Sequence, residues 1–290
     1  MNVLLTGATG FIGGHLRTRL TQRHEVCALV RERGKFKDEG NSTWTQADLS
    51  DSTGELVLPG RIDAIVCLAQ SKAYRDFPEK AWEVFSVNVS SVMRLLEYAR
   101  QHGVKIFVLA STANVYRPCH ELISESHSPD PTSFYGRSKR IAEMLVESYA
   151  AYFRCVALRL FTVYGPGQAG TLIPSLIERV RNDEPIQLPG GSGLRLTPVY
   201  VADVCRIIQA AIETEDASPG FEVFNVGGDE ELSIHQIGSI IGDVLGASPR
   251  FEIVTGDQQG GWMADNSKLK EQFRDLNLTP FLEGISRTLD

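Results

Sequence analysis

The sequence predicts an α/β protein: a doubly wound parallel sheet followed by a smaller, mixed α/β C-terminal lobe. Apolar runs of strand length alternate with helical patterns through the first 165 residues. After Gly165-Pro166-Gly167 the predicted elements become shorter and their alternation less regular. Strands that alternate with helices form parallel sheets with right-handed crossovers. A ligand is therefore expected at the carboxyl ends of the strands.

The first element is the stretch NVLLTGATGFIGG, where a short apolar run precedes glycines spaced three residues apart, Gly7, Gly10 and Gly13. A helical pattern with Leu16 and Leu20 follows. The first glycine permits a tight turn, the second close approach to a ligand, and the third close packing of helix and strand. A helix N-terminus at this place favours a pyrophosphate. The stretch therefore predicts a Rossmann-like, dinucleotide-binding start.

The remaining elements follow in order. Further strands are predicted at residues 25–30, 43–47, 64–69, 105–110 and 155–161, and long helices at 82–102 and 135–153. In the lobe we expect helices at 172–181 and 202–212, strands at 198–200 and 221–226, and a helix with Ser233 as N-cap. We expect a dinucleotide-binding domain at 1–165 and a substrate-binding lobe at 166–290, with some later segments returning to the first domain.

Composition narrows the functional classes. The chain has 290 residues, is 42% apolar and carries a net charge of −7. This composition supports a full core but gives no support to nucleic-acid or anionic-membrane binding. A strand starting at residue 2 leaves no room for a signal peptide, and no stretch reaches membrane-span length. Five scattered cysteines and six scattered histidines indicate a reduced, cytoplasmic protein without a metal site.

Candidate catalytic groups lie in the second half of the sheet. Tyr135 and Lys139 are four residues apart at the start of a helix, where a fixed ammonium would lower the pKa of a phenol. Ser111 and Thr112 follow a strand end, where a hydroxyl can bind a substrate oxygen. The YxxxK spacing by itself is also typical of a solvated helix pair.

The end of the second strand bears on the choice of dinucleotide. NAD enzymes place an acid there to bind the ribose hydroxyl. Here Val30 is followed by Arg31, Glu32 and Arg33, and then by Lys35. Cations suit a 2′-phosphate, so the sequence favours NADP over NAD. The other interpretation is a solvated basic loop in which Glu32 serves NAD.

The chain resembles the extended short-chain dehydrogenase/reductases of the NAD-dependent epimerase/dehydratase family, which modify nucleotide sugars. Its ordered matches to family motifs are the GxxGxxG loop, Asp48-Leu49, Leu68-Ala69-Gln70 (HLAA, with Cys67 for His), Asn88-Val89, the 111–116 segment (SSxxVYG), the 159–166 segment (RxFNVYGP) and Asn225-Val226-Gly227.

The resemblance implies hydride transfer at a sugar carbon, most often C4, with Tyr135 as acid/base, Lys139 tuning it and holding the nicotinamide ribose, and Thr112 orienting the sugar oxygen. It implies a homodimer built through the two long helices. The implied cofactor-binding residues are Gly7, Thr9, Gly10, Phe11, Ile12, Gly13, Arg31, Asp48, Leu49, Leu68, Ala69, Gln70, Asn88, Ala110, Ser111, Tyr135, Lys139 and Phe161. The implied substrate-binding residues are Thr112, Asn114, Thr162 and Arg195.

Departures from the family pattern narrow the range of reactions that is expected of this chain. The family's 4,6-dehydratases carry Asp-Glu after the catalytic Thr, whereas this chain has Ala113 and Asn114, so 4,6-dehydration is not expected. Thr162 replaces the usual Asn, and Arg195 is the expected diphosphate ligand, although the segment that follows it is one residue longer than in the family pattern. The 256–260 loop lacks an Arg that many relatives use.

The sequence is compatible with three functions. The leading hypothesis is an NAD(P)-dependent ketoreductase or epimerase of a nucleotide-activated sugar. The weakened diphosphate contacts and Arg31 also allow an NADPH-dependent reductase of a non-nucleotide ketone in secondary metabolism. A non-catalytic NAD(P)-binding sensor on the same fold is less favoured, because such proteins usually lose the Tyr or Lys.

Overall fold

The computed structural model describes residues 1–34, 36–51, 58, 60–215, 217–256, 260–274 and 276–289. Two compact units are formed. The first comprises Met1–Arg117, Pro129–Arg159 and Cys205–Phe224. The second comprises Pro118–Ser128, Leu160–Val204 and Asn225–Asp290. Among the described residues, no helix has the length and apolar character needed to cross a bilayer.

The strands and helices of the described residues have the following bounds. The strands are β1 (Asn2–Thr6), β2 (Glu25–Val30), β3 (Ser42–Gln46), β4 (Ala64–Cys67), β5 (Ile106–Thr112), β6 (Arg154–Leu160), β7 (Val163–Tyr164), β8 (Ile186–Pro189), β9 (Arg195–Leu196), β10 (Val199–Tyr200), β11 (Gly220–Val226), β12 (Leu232–Ser233) and β13 (Phe251–Val254). The helices are α1 (Phe11–Leu20), α2 (Ala81–Phe85), α3 (Ser91–His102), α4 (Phe134–Ser148), α5 (Leu172–Arg181), α6 (Val201–Ile212), α7 (Ile234–Leu245), α8 (Ser267–Gln272) and α9 (Phe281–Leu289).

A seven-stranded sheet organises the first unit, in the order β11-β6-β5-β4-β1-β2-β3. The pairs of β1 with β2 and β4, of β2 with β3, and of β4 with β5 are parallel. This topology confirms the predicted Rossmann-like fold. Burial explains why these strands are apolar throughout: every residue of β4, β5 and β6 is buried. The core beneath the sheet includes Leu4, Ile65, Leu95 and Phe107.

Three short strand pairs organise the second unit: β7 with β10, β8 with β13, and β9 with β12. The predicted N-cap of α7 is confirmed and forms a full capping box, in which Ser233 Oγ accepts from Gln236 N and Gln236 Oε1 accepts from Ser233 N. Asp203 Oδ2 accepts from Thr279 N at 2.7 Å, which fixes the segment before α9. The sequence did not predict β7, β8, β9, β12, β13, α8 or α9.

The predicted helix at 82–102 is interrupted. Instead of one helix, α2 and α3 are separated by a π-helical turn at Ser86–Ser90. A π turn holds one extra residue, which an apolar pattern does not reveal. The end at Gly103 is as predicted, because this residue caps α3 in the left-handed conformation, with φ of 68°.

Adjacent glycines in α1 allow a matched test of the close packing around the first turn. A Cβ on Gly13 would lie 2.0 Å from Gly7 O, whereas a Cβ on Gly14 would meet no atom within 4 Å. We expect Gly13→Ala to lower the free energy of unfolding by about 2 kcal/mol or more. We expect Gly14→Ala to raise it by up to about 1 kcal/mol. Urea denaturation of both variants is the measurement, and equal midpoints would contradict the packing described.

Candidate active site

The glycine turn brings three backbone segments together at the end of the sheet. Gly7 has φ of +70°, and a Cβ there would lie 2.8 Å from Ala69 N and from the Leu68 carbonyl carbon. Ala69 N donates to Thr6 Oγ1 at 3.1 Å, which fixes the segment after β4 beside the turn. The N-cap of α1 is Gly10, which has no side chain to cap the helix. The α1 N-terminus can thus receive an anion, and these residues fit a dinucleotide pyrophosphate.

The end of β2 carries exposed charges. Val30 is buried, and Arg31 and Glu32 are exposed. Arg33 is paired with Asp38 at 2.7 Å. Asp48 Oδ1 accepts from Ser50 N and Ser50 Oγ, which lower the pKa of the Asp48 carboxyl, with a further contribution from Arg31. Arg31 and Asp48 therefore lie near each other, next to buried Leu49. Lys35, the last member of the predicted basic cluster, lies outside the described residues.

A run of hydrogen-bonding side chains lies at the carboxyl end of β5. Thr112 Oγ1 accepts from Asn114 N and from Asn114 Nδ2, both at 3.2 Å. On α4, Ser133 Oγ caps the helix by accepting from Gly136 N, and Tyr135 Oη donates to Gln70 Oε1 at 2.9 Å. Thr112 and Tyr135, predicted from separate segments, are brought within hydrogen-bonding range of each other.

Burial sets the protonation of Tyr135. Burial raises the pKa of the phenol most, the Thr112 hydroxyl opposes the rise and Tyr74 adds to it, and together they bring the pKa to about 12. This direction is opposite to the lowering expected from the YxxxK spacing. The reason is that Lys139 directs its Nζ to Ala110 O, at 2.7 Å, and does not contribute to the shift. Burial also lowers the pKa of Lys139.

A buried ion pair attaches α4 to strands β5 and β6. Glu143 lies one turn after Lys139 and accepts from Arg159 Nε at 2.9 Å and from Arg159 Nη2 at 2.8 Å. Glu143 also accepts from Ser111 Oγ, and Arg159 donates to Tyr116 Oη. Sequence reasoning assigned no role to Glu143. A carboxylate on the apolar face of the α4 pattern was the available signal.

The π turn holds Asn88 against two other elements. Asn88 Oδ1 accepts from Ser71 N, and Asn88 Nδ2 donates to Ser138 Oγ, both at 3.0 Å. Ser138 Oγ in turn donates to Tyr135 O at 2.7 Å. Because both ends of the Asn88 amide are bonded to protein groups, this side chain joins the segment after β4 to the start of α4.

The second unit contains the other three predicted residues. Phe161 is buried, and its N–H donates to Val226 O. Thr162 is half-buried, and its carbonyl accepts from Val199 N at 2.8 Å. Arg195, expected as a diphosphate ligand, forms an ion pair with Glu231. Residues 257–259 of the loop without Arg lie outside the described residues.

The second unit also holds a cavity that the sequence did not predict. Its volume is about 300 Å³. Its lining is mainly apolar, with Arg179 and Gln187 as polar members; the other lining residues are Leu172, Leu176, Ile186, Pro189, Gly193, Leu194 and Ile234. Leu172 is the first residue of α5, whose N-cap Thr171 makes no side-chain capping bond. The cavity therefore lies beside the N-terminus of a helix.

Residues 3–227 match the sequence profile described as the NAD dependent epimerase/dehydratase family. The chain belongs to this family.

Relatives within the family differ in their reactions. The chain is 28% identical to the UDP-glucuronate 4-epimerase of Thermodesulfobacterium geofontis, covering 99% of this chain and 94% of that protein. It is also 28% identical to a dTDP-4-dehydro-6-deoxy-D-allose reductase of Streptomyces bikiniensis, with the same coverage. Among solved structures, MoeE5 in complex with UDP-glucuronic acid and NAD superposes with a TM-score of 0.84, at 29% identity over 100% of this chain and 98% of that one.

The raised pKa of Tyr135 predicts a late titration. The absorbance of phenolate in the folded wild type, minus that in Tyr135→Phe, should rise with a midpoint near pH 12 instead of about 10. Because the pKa is higher in the folded state, the associated stabilisation is complete below about pH 10 and is lost as the pH rises toward 12.

The control is the phenolate absorbance of the wild type minus that of Tyr135→Phe, measured on urea-unfolded chains. Its midpoint should lie near pH 10. A folded-state midpoint at or below 10 would show that Tyr135 is not buried as described.

Proposed function

We propose that the protein is an NAD-dependent epimerase that acts at C4 of the sugar in a UDP-sugar. The observation that carries this proposal is the placement of the Tyr135 phenol within reach of the Thr112 hydroxyl, on the helix that also presents Lys139, in a chain of this family. Two compared proteins, the 4-epimerase and MoeE5, are named with UDP-sugars.

In the proposed mechanism, the sugar hydroxyl at C4 binds between Tyr135 Oη and Thr112 Oγ1. Asn114 donates twice to Thr112 Oγ1, so the Thr112 proton is free to point toward the reacting oxygens. Tyr135 must first lose its own proton to solvent, and the positive charge of an oxidised nicotinamide bound beside it would favour the phenolate. The phenolate then takes the proton of the sugar hydroxyl and later returns it. When bound, NAD would supply the hydride acceptor and donor. Inversion at C4 requires the ketosugar to turn over between the two transfers, so that the hydride returns to the opposite face of the same carbon.

The residues that would hold the cofactor come mainly from the first unit, within the proposed dinucleotide-binding domain at 1–165. The glycine turn and the α1 N-terminus would bind the pyrophosphate, Asp48 and Leu49 the adenine, and Lys139 the nicotinamide ribose. The other proposed contacts are Thr9, Phe11, Ile12, Arg31, Leu68, Ala69, Gln70, Asn88, Ala110, Ser111, Tyr135 and Phe161.

We propose that the cavity of the second unit receives the nucleotide base, within the substrate lobe at 166–290. Its volume and apolar walls suit a planar heterocycle, and Gln187 offers polar contacts. The adjoining α5 N-terminus suits the diphosphate. This arrangement supplies an anion site although Thr162 lacks an amide and Arg195 is already paired with Glu231.

The substitutions at Ala113 and Asn114 argue against 4,6-dehydration. Elimination requires an acid and a base beside the hydride-transfer site. Ala113 has no titratable group, and the Asn114 amide is engaged with Thr112. We therefore propose that a ketosugar formed in this site is reduced again and does not undergo elimination.

A second candidate is an NADPH-dependent ketoreductase. The observation that favours it is Arg31, which is exposed at the end of β2 beside Asp48 and could bind a 2′-phosphate. The allose reductase among the relatives is a precedent within the family. In this reading the substrate is a ketosugar nucleotide, and each turnover consumes one NADPH.

The test is incubation with UDP-glucose or UDP-glucuronic acid in the presence of NAD. We expect the C4 epimer to form without net change in the nicotinamide. Tyr135→Phe should lower kcat by about 10² to 10⁴-fold, because proton transfer is lost. Tyr152→Phe, at an exposed tyrosine, is the control and should keep full activity.

Two outcomes would contradict the epimerase proposal. Consumption of NADPH with a ketosugar nucleotide, without epimerisation, would establish the second candidate instead. Full activity of Tyr135→Phe would remove Tyr135 from the mechanism.

We also propose a homodimer formed through α3 and α4. Three apolar side chains are exposed on these helices, Met93 on α3 and Ile141 and Met144 on α4. Tyr149, which is buried just after α4, contacts Met93 Sδ at 3.8 Å, so the end of α4 packs against the exposed side of α3. An apolar face of this kind is typical of an interface between subunits.

Sedimentation is the measurement for the dimer. The wild type should sediment at twice the chain mass of 32.0 kDa. Met93→Glu combined with Met144→Glu should give monomers, because each carboxylate would be buried unpaired in the interface. Ile253→Glu, at an exposed residue of β13, is the control and should leave the dimer intact. A wild-type monomer would contradict the proposal.

A further inference from the structure

Gln70 lies directly beside the reacting phenol. Its Oε1 accepts the Tyr135 hydroxyl at 2.9 Å, and the residue is exposed toward solvent. In the family's HLAA segment this position holds alanine, whose side chain could make no such contact. The amide is thus a feature of this chain and not of the family pattern.

The position of Gln70 is fixed by buried hydrogen bonds on its neighbour. Ser71 N donates to Asn88 Oδ1 at 3.0 Å, and Ser71 Oγ donates to Glu83 at 2.9 Å. Asn88 is in turn bonded to Ser138, which bonds the backbone of Tyr135. Because Ser71, Asn88 and Ser138 are each at least 97% buried, the backbone of Gln70 is held in register with Tyr135.

The contact with Tyr135 limits the distance between the Gln70 amide and the reacting sugar oxygen. An oxygen that exchanges a proton with Tyr135 must lie about 3 Å from Oη. Gln70 Oε1 is 2.9 Å from the same atom, so the amide and the reacting oxygen are separated by about 6 Å at most. A hydroxyl on a carbon next to the reacting carbon can therefore occupy the space between the reacting oxygen and the amide.

The chemistry of an amide suits a hydroxyl. Tyr135 has a single proton, and when that proton is shared with the sugar oxygen, Gln70 Oε1 is left able to accept from another donor. In the described part of the chain, Gln70 Nε2 has no protein partner and can donate. A sugar hydroxyl both donates and accepts, so it can use either end of the amide.

We propose that Gln70 is a specificity-determining residue, whose carboxamide binds the sugar hydroxyl next to the reacting carbon. This inference rests on the proposed function, because it takes the substrate to be a sugar held at Tyr135. It predicts that the Gln70 carboxamide contributes to binding of the sugar and not to binding of the UDP moiety.

The test compares Gln70→Met, which keeps the length of the side chain but cannot hydrogen-bond, with the wild type. We expect kcat/KM for UDP-glucose to fall by about fivefold to tenfold, the loss of one hydrogen bond to a substrate. The inhibition constant of UDP alone should stay within twofold. Gln101→Met, at an exposed glutamine of α3, should change neither quantity.

Two results would overturn the inference. One is a kcat/KM of Gln70→Met within twofold of the wild type. The other is a parallel weakening of UDP inhibition, since this would show a disturbed site and not a lost contact to the sugar.

Calorimetry tests the role of Gln70 independently of whether the protein is an epimerase. If the wild type turns over no UDP-sugar, UDP-glucose and UDP are titrated into the wild type and Gln70→Met. Tighter binding of UDP-glucose than of UDP, with the difference lost in the variant, would support Gln70 while the epimerase proposal fails. Binding of neither ligand would overturn both.

Discussion

The attachment of α4 to the carboxyl end of β5 is the interaction on which the candidate site depends. Lys139 Nζ bonds Ala110 O at 2.7 Å, and Glu143 accepts from Ser111, the next residue of β5. Arg159 of the adjacent strand completes the charge balance of Glu143. Removing one partner of such a buried pair leaves an uncompensated charge and costs about 3–5 kcal/mol. The elements that carry the Tyr135 phenol and the Thr112 hydroxyl are therefore joined by buried hydrogen bonds and a buried ion pair.

The protonation of the site follows from the same burial. A phenol whose pKa is raised remains protonated over the neutral range, and it donates to Gln70. Lys139 is buried beside the Cys67 thiol and Glu143, both of which favour its charged form against desolvation. The protein alone thus holds a proton on Tyr135, which suits the proposed return of a proton to the sugar oxygen. The proposed uptake of a proton needs the phenolate, which the positive charge of a bound oxidised nicotinamide would favour.

Local patterns predicted the parts of the fold that are set by neighbours in sequence. The glycine turn, the buried strands and the Ser233 cap depend on residues within one turn or strand, and each is found in the structure. The π turn around Asn88 was not predictable, because it is stabilised by Ser71 and Ser138, which are distant in sequence. The two-residue strands β7, β9 and β12 were missed for a related reason, since two residues carry no period.

In the candidate site, too, residues within local motifs were predictable and contacts between distant segments were not. Tyr135, Lys139 and Thr112 could be chosen from motif and spacing, whereas the contact of Gln70 with Tyr135 spans 65 residues and needs the folded chain. The cavity beside α5 likewise depends on side chains from α5, β8 and α7 that no single motif contains.

The central proposal is that a hydride leaves C4 of the sugar and returns to the opposite face of the same carbon, while Tyr135 transfers only the proton. Incubation of the enzyme with UDP-glucose deuterated at C4, in ordinary water, tests it most directly. The account predicts that the epimerised product retains the deuterium at C4, as mass spectrometry or NMR would show. Replacement of that deuterium by solvent hydrogen would mean that the carbon is deprotonated instead, and would contradict the account.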